Sequence, residues 1–144
     1  MAAGLSHKLS SLTVGDEIAQ SSYTLHRGDL VRYAGASGDF NAIHYRDDIA
    51  AEVGLPGVLA HGMLTMGLSV QPVVDWIGDP GRVVDYQVKF TRPIVVDPKT
   101  GAEVSVVAKI GATDVDAQTV RVDLTVTYEE ATVLGKAQVV LSFA

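Results

Sequence analysis

The sequence predicts an α+β fold in which an antiparallel sheet is covered on one face by a buried helix. Apolar residues recur at every second position in four segments between residues 84 and 143, a period typical of half-buried strands. Residues 62–77 are apolar on nearly all sides, which favours a helix enclosed by other structure. The helical patterns precede most of the strands, an order that indicates an α+β layer. One face of such a sheet needs a helix to cover it, and the apolar helix of residues 62–77 can do so.

The first third of the chain predicts a short strand and two helices. The strand is expected over residues 22–26, where the alternation is weak. Residues 27–36 predict a helix with Asp29 in its first turn, where the helix dipole favours an acid. A second helix is expected over residues 47–53, and it should end at Gly54, which readily supplies turn dihedral angles.

The central helix of residues 62–77 contains Pro72, which lacks a backbone N–H. We expect the helix to kink or end there, with residues 73–77 as a separate turn or a bent extension. A glycine- and proline-rich turn at residues 78–81 should stop it. The apolar run falls short of the roughly 20 residues that a membrane helix needs, so no membrane span is predicted.

The four segments after residue 82 each place their apolar side chains on one face. Turn-rich or charged stretches separate them, as suits antiparallel reversals. The residues expected to face the central helix are Val84, Tyr86, Val88 and Phe90; Val104, Val106, Ala108 and Ile110; Val120, Val122, Leu124, Val126 and Tyr128; and Ala137, Val139, Leu141 and Phe143.

Composition narrows the class of protein. A chain of 144 residues with 47% hydrophobic residues predicts a single globular domain over residues 1–144. Eleven basic and seventeen acidic side chains give a formal charge of -6, which argues against nucleic acid as a partner. The absence of cysteine excludes disulfides and thiol chemistry. Residues 1–11 lack the pattern of a signal peptide, so a cytoplasmic protein is expected.

Residues 33–44 contain the candidate acid–base pair, Asp39 and His44. Gly38 and Asn41 favour turns over continued helix, so both side chains should lie on a folded loop. Such a loop can direct a carboxylate and a ring nitrogen at one small volume, where water or a hydroxyl group would bind between them. The structural alternative is that Asp39 caps a turn and His44 is a satisfied, partly buried histidine.

This stretch resembles the signature of the MaoC-like family of R-specific hydratases and dehydratases. Seven residues fit the family's signature, which has an aromatic residue, a small-Gly-Asp-x-Asn core and a histidine in this order: Tyr33, Ser37, Gly38, Asp39, Asn41, His44 and, after them, Ala50. Ala42 departs from it, since the family usually has proline there. The resemblance extends to Ala60-His61-Gly62-Met63-Leu64 and to Phe90-Thr91-Arg92-Pro93. It implies the hotdog fold, an antiparallel sheet wrapped around the central helix.

The resemblance also implies dehydration of (3R)-hydroxyacyl thioesters and the reverse hydration of trans-2-enoyl thioesters. His44 is the best candidate proton shuttle, because a histidine's ordinary pKa is roughly 6.5. Asp39 would orient its ring, and in the family the two hold the water together. The backbone N–H of Gly62, at a helix start, would stabilise the oxyanion. Asn41 would shape the loop or touch substrate, and His61 is either structural or substrate-binding. Neither a cofactor nor a metal is expected.

The substrate would be an acyl carrier protein or coenzyme A thioester. Residues 60–67 and 76–81 resemble mycobacterial-type dehydratases of the family, which implies a heterodimer with a second hotdog subunit; a homodimer is the alternative. An R-specific enoyl-coenzyme A hydratase and a non-catalytic acyl-binding subunit remain alternative functions. A hotdog thioesterase is disfavoured, because that reaction usually needs a carboxylate on the central helix and residues 62–74 contain none.

Overall fold

The computed structural model describes residues 7–144. Residues 1–6, on which part of the signal-peptide expectation depends, lie outside the described residues. Three α-helices and five β-strands are found within residues 7–144. In chain order they are β1 (Glu17–Leu25), α1 (Arg27–Ser37), α2 (Asp47–Glu52), α3 (Gly62–Ile77), β2 (Val83–Phe90), β3 (Ala102–Asp114), β4 (Thr119–Tyr128) and β5 (Ala131–Ser142).

All five strands form one sheet in the order β1-β3-β4-β5-β2, and every neighbouring pair is antiparallel. The predicted inward residues of β3, β4 and β5 form the core; Val106, Val122 and Val139, one from each strand, are completely buried. The turn between β4 and β5 places both Glu129 and Glu130 at positive φ, 50° and 62°, as the right-handed twist of a tight hairpin demands. The α+β prediction is confirmed.

Helix α3 packs on the sheet, but one of its faces remains open. Its buried line recurs at every fourth residue and consists of Thr65, Ser69, Val73 and Ile77. The opposite line, Met63, Gly67, Gln71 and Asp75, is exposed. The expectation of burial on all sides is therefore wrong for the single chain, because one sheet covers only one side of a helix.

The proline in α3 does not end the helix. Helical structure continues through Pro72 to Ile77, and Gly78 closes it with φ 75°. Of the two alternatives predicted for residues 73–77, the separate turn is wrong, because these residues continue the same helix. Buried hydroxyl groups bond along its axis, since Ser69 Oγ donates to the carbonyl oxygen of Thr65 at 2.6 Å. No helix within residues 7–144 is long and apolar enough to cross a membrane.

In strand β2, one prediction about which side chains face the core is wrong. Tyr86 and Val88 pack against the core as expected, and Tyr86 Oη donates to the carbonyl oxygen of Met66 on α3 at 2.7 Å. Val84, however, is 58% exposed, and Val83 packs inward instead. Phe90 lies on the expected side, since its ring covers Gly62 at the start of α3, although the side chain is 55% exposed.

A register shift between Val83 and Asp85 adds a residue to β2 and reverses which side chains face the core. A second shift, between Gln87 and Lys89, adds its residue to β5 and leaves the alternation at the end of β2 intact.

Candidate active site

Side-chain-to-backbone hydrogen bonds shape the loop that follows α1. Gly38 ends the helix in the left-handed conformation, with φ 77°. Ser37 Oγ then accepts the N–H of Asp39 at 3.1 Å, and Asp39 Oδ1 accepts the N–H of Asn41 at 3.1 Å. Asn41 Oδ1 accepts the N–H of Ile43 at 3.2 Å and begins a single 3-10 turn that ends at His44. Short polar side chains therefore replace helix in this segment, for the reason the sequence suggests.

The loop brings Asp39 and His44 together. His44 is 9% exposed, and its Nδ1 lies 2.7 Å from the carbonyl oxygen of Leu59. A carbonyl oxygen can only accept, so Nδ1 carries a proton and Nε2 of the neutral ring has a free lone pair. Nε2 lies 4.0 Å from Asp39 Oδ2, and that carboxylate is exposed. This separation is too long for a direct hydrogen bond but leaves room for an oxygen atom that contacts both groups.

His61 lies directly behind this pair. It is 1% exposed, and its ring stacks on the ring of His44 with centroids 3.8 Å apart and planes 21° apart. Its Nε2 lies 3.2 Å from the main-chain carbonyl oxygen of Asp39. Burial lowers the pKa of His61 below the ordinary value for histidine, and the bond to the Asp39 carbonyl offsets this only in part.

The start of α3 supplies N–H groups beside Asp39. The carbonyl oxygen of His61 accepts the N–H groups of Leu64 and Thr65, and its side chain caps none. Within the described part of the chain, the N–H groups of Gly62 and Met63 are left without an acceptor in the protein. These groups lie at the positive end of the helix dipole, which favours developing negative charge.

A cavity of about 420 Å³ opens at this helix start. Asp39 and Gly62 both line it, whereas His44 lies behind Asp39 and is absent from its lining. The ring of Phe90 covers Gly62 so closely that a methyl group at Gly62 would lie 2.8 Å from a ring carbon. Other lining residues are Ala60, Met63, Thr65, Thr91, Arg92, Pro93, Ile94, Val133 and Leu134.

The side chains of Asp39, His44 and His61 are close enough to be considered as metal ligands, with their ligand atoms all within 4.8 Å of one another. The two imidazole rings, however, are stacked in nearly parallel planes. Lone pairs in parallel planes do not converge on one ion at the roughly 2.0–2.1 Å that a metal–imidazole bond requires. The arrangement suits proton transfer better than metal binding.

Most of the sequence matches a known protein family. The family model described as the MaoC like domain matches residues 10–129. The chain belongs to the MaoC-like domain family. The resemblance inferred from the residues is thereby confirmed.

Two curated relatives show the range of this MaoC-like family. The chain is 34% identical over 74 residues to 3-hydroxyacyl-thioester dehydratase X of Mycobacterium tuberculosis, a match over 51% of this chain and 25% of that protein. It is 30% identical over 84 residues to the (R)-specific enoyl-CoA hydratase of Rhodospirillum rubrum, covering 58% of each. The matched regions thus span less than two thirds of either relative.

Solved structures of the MaoC-like family confirm the hotdog fold. A structure described as a MaoC-like dehydratase superposes with a TM-score of 0.91 and 39% identity over 95% of this chain, and the match covers 42% of that chain. The C-terminally truncated HadBC (3R-hydroxyacyl-ACP dehydratase) complex from Mycobacterium tuberculosis superposes with a TM-score of 0.71 at 17% identity, over 91% of this chain and 98% of that one. At that identity the second likeness shows the fold alone.

Two features of the site were not predicted from the MaoC-like signature. The Leu59 carbonyl selects the tautomer of His44, but every residue has a main-chain carbonyl, so the sequence contains no signal for it. Phe90 was expected to face the central helix and does so at Gly62, but the sequence did not indicate that its ring would form a wall of the cavity.

Proposed function

We propose that this chain is a hydro-lyase that dehydrates (3R)-hydroxyacyl thioesters and catalyses the reverse hydration of trans-2-enoyl thioesters. We also propose that residues 1–144 form one hotdog domain. The observation that carries the activity is the 4.0 Å separation of Asp39 Oδ2 and His44 Nε2 beside the helix start at Gly62. Membership of the MaoC-like family supports the same class of reaction.

The chemistry follows from what each group can do. In the hydration direction, a water molecule between Asp39 and His44 gives up a proton to the pair as its oxygen bonds to C3 of the enoyl group. The electron pair of the double bond then moves toward the thioester oxygen, where the N–H of Gly62 would stabilise the negative charge. C2 takes up a proton from the Asp39 and His44 pair, which returns the pair to its starting protonation state. Dehydration follows the same steps in reverse.

The test of this proposal is direct hydration of a crotonyl thioester by the purified protein. We expect formation of the (3R)-hydroxy product, measured by loss of enoyl absorbance and by chiral analysis. Matched coenzyme A and acyl carrier protein substrates would then identify the carrier, for which we propose acyl carrier protein in fatty-acid-type elongation. Absence of hydration with both carriers would favour a non-catalytic acyl-binding subunit.

Replacement of Gly62 by alanine tests the proposed oxyanion site. The new methyl group would occupy the approach to the helix start, so we expect kcat/KM to fall about 10-fold although the N–H remains. Because Phe90 is half exposed, its ring can swing away, and the fold should be preserved. Hydration kinetics and a thermal melt would measure both effects.

The matched variants separate two causes of that loss. If the methyl group itself blocks the thioester, adding Phe90→Ala to Gly62→Ala should not restore kcat/KM. Recovery in the double variant would mean that displacement of Phe90 caused the loss. Wild-type kinetics in Gly62→Ala would remove this helix start from the mechanism.

We propose that a second hotdog subunit covers the open face of this chain. The line Met63, Gly67, Gln71 and Asp75 on α3 is exposed, and the neighbouring strand β2 has one edge that no other strand of residues 7–144 pairs with, with Val84 exposed. Pairing two such domains would give the edge strand a neighbour and would bury the open face of the helix. The HadBC complex shows that a hotdog chain of this fold occurs in an assembly, which supports a heterodimer here.

Activity against acyl length would test the heterodimer. We expect the purified chain alone to work on short acyl thioesters and to need its partner for long ones, because the described cavity is small. Mass measurement of what co-purifies from the native host would identify that partner. Full activity of an isolated homodimer on long chains, with nothing bound to it in the host, would defeat the heteromeric proposal.

A further inference from the structure

The buried ring of His61 connects three parts of the proposed site. It occupies the residue before α3, so its main chain leads directly into the helix start at Gly62. Its Nε2 contacts the carbonyl oxygen of Asp39 at 3.2 Å. Its face stacks on the ring of His44. The ring of Tyr33 packs edge-on against the His61 ring, with the two ring centroids 4.8 Å apart. The loop, the proton shuttle and the oxyanion helix thus all meet one side chain.

These contacts determine which nitrogen of the His61 ring carries the proton. The Asp39 carbonyl can only accept, so Nε2 of His61 donates. In the neutral ring Nδ1 then has a lone pair and no proton, and among residues 7–144 nothing donates to it. A charged His61 would need a second buried N–H with no acceptor, beside another imidazole. His61 is therefore suited to remain neutral while His44 exchanges protons.

Two restraints on His44 follow from this placement. The bond from Nδ1 to Leu59 acts within the plane of the His44 ring, and the stack on His61 acts perpendicular to it. Together they fix the direction of Nε2 toward Asp39. The bond from His61 to the Asp39 carbonyl restrains the opposite member of the pair through its main chain.

We propose that His61 is a positioning residue that holds Asp39 and His44 in register for proton transfer without itself exchanging a proton with substrate. The ring face positions His44, and the Nε2–H group positions the Asp39 loop. This inference rests on the proposed hydratase function of the same site. It assigns to the histidine of the Ala60-His61-Gly62 stretch a role separate from substrate binding.

Two variants separate the roles of the ring and the N–H group. His61→Phe keeps a flat ring to stack on His44 but lacks the donor to Asp39, whereas His61→Gln keeps a donor but lacks the ring. Because small displacements of reacting groups are costly, we expect each to lower kcat about 10-fold while KM changes less than about 3-fold. NMR relaxation of the His44 ring should show one fixed orientation in the wild type and in His61→Phe, where the stack remains, and ring motion in His61→Gln, where only the bond to Leu59 holds the ring.

The control is His26→Gln, which removes a histidine at the start of α1 and should leave activity unchanged. Thermal melts would establish that each variant is folded. Wild-type kcat in either His61 variant, or a His44 ring as immobile in His61→Gln as in the wild type, would overturn the proposal. If the wild type hydrates no enoyl thioester, the proposed function fails, and the mobility of the His44 ring in His61→Gln decides the positioning role by itself.

Discussion

Replacement of His44 by alanine is expected to lower turnover about 10²-fold or more, because it removes the group that carries the proton. His44 is buried, and its Nε2 is the ring nitrogen that the protein leaves free beside Asp39. KM should change little, since the ring is absent from the lining of the cavity. Hydration kinetics of a crotonyl thioester would measure kcat and KM separately.

The matched control for this experiment is His44→Gln, which fills more of the same volume but provides no imidazole to exchange a proton. It should be as inactive as the alanine variant while melting closer to the wild type. If instead His44→Gln keeps wild-type turnover, proton transfer by the imidazole is wrong. His44 would then be the satisfied structural histidine that the sequence left open.

Asp39→Asn should lower turnover by a similar factor, about 10²-fold, for a different reason. The two oxygens of the Asp39 carboxylate have different neighbours. Its Oδ1 accepts the N–H of Asn41, which an asparagine carbonyl oxygen can also do, so the loop should survive the change. Its Oδ2 faces His44, where the substitution places an amide that cannot accept a proton.

Kinetics and a thermal melt of Asp39→Asn would separate loss of chemistry from loss of loop structure. Asp48→Asn is a suitable control, because Asp48 is an exposed acid of α2 whose partner is Arg46. That variant should hydrate substrate at the wild-type rate. Unchanged turnover in Asp39→Asn, with the melting temperature also unchanged, would leave the carboxylate with a role in turn formation alone.

Much of the fold could be predicted because its determinants are local. The alternation in β3, β4 and β5 correctly gave their inward faces, since each of these segments has a buried side that repeats at every second residue. The loop around Asp39 was also predictable, because serine, aspartate and asparagine bond to nearby backbone. Gly38 supplies the one left-handed residue that this loop needs.

The remaining features depend on contacts between distant segments. The register shift at the start of β2 arises from its pairing with β5, more than forty residues later, and it exposes Val84. The stack of His44 on His61 joins a loop to a helix start, and no spacing rule indicates it. The exposed line of α3 was missed for another reason: apolar composition does not reveal whether a partner or the chain itself covers a helix.

The strand order has a consequence for the timing of folding. β3, β4 and β5 follow one another in the sheet and in the chain, so they can pair as soon as they are synthesised. β2 precedes them in the chain but pairs with β5, the last of the five strands. Because Phe90 and the cavity wall belong to this pairing, the acid–base loop of a nascent chain has no complete pocket until β5 has left the ribosome. The slow, long-range closure of β2 on β5 should therefore coincide with the onset of activity during refolding.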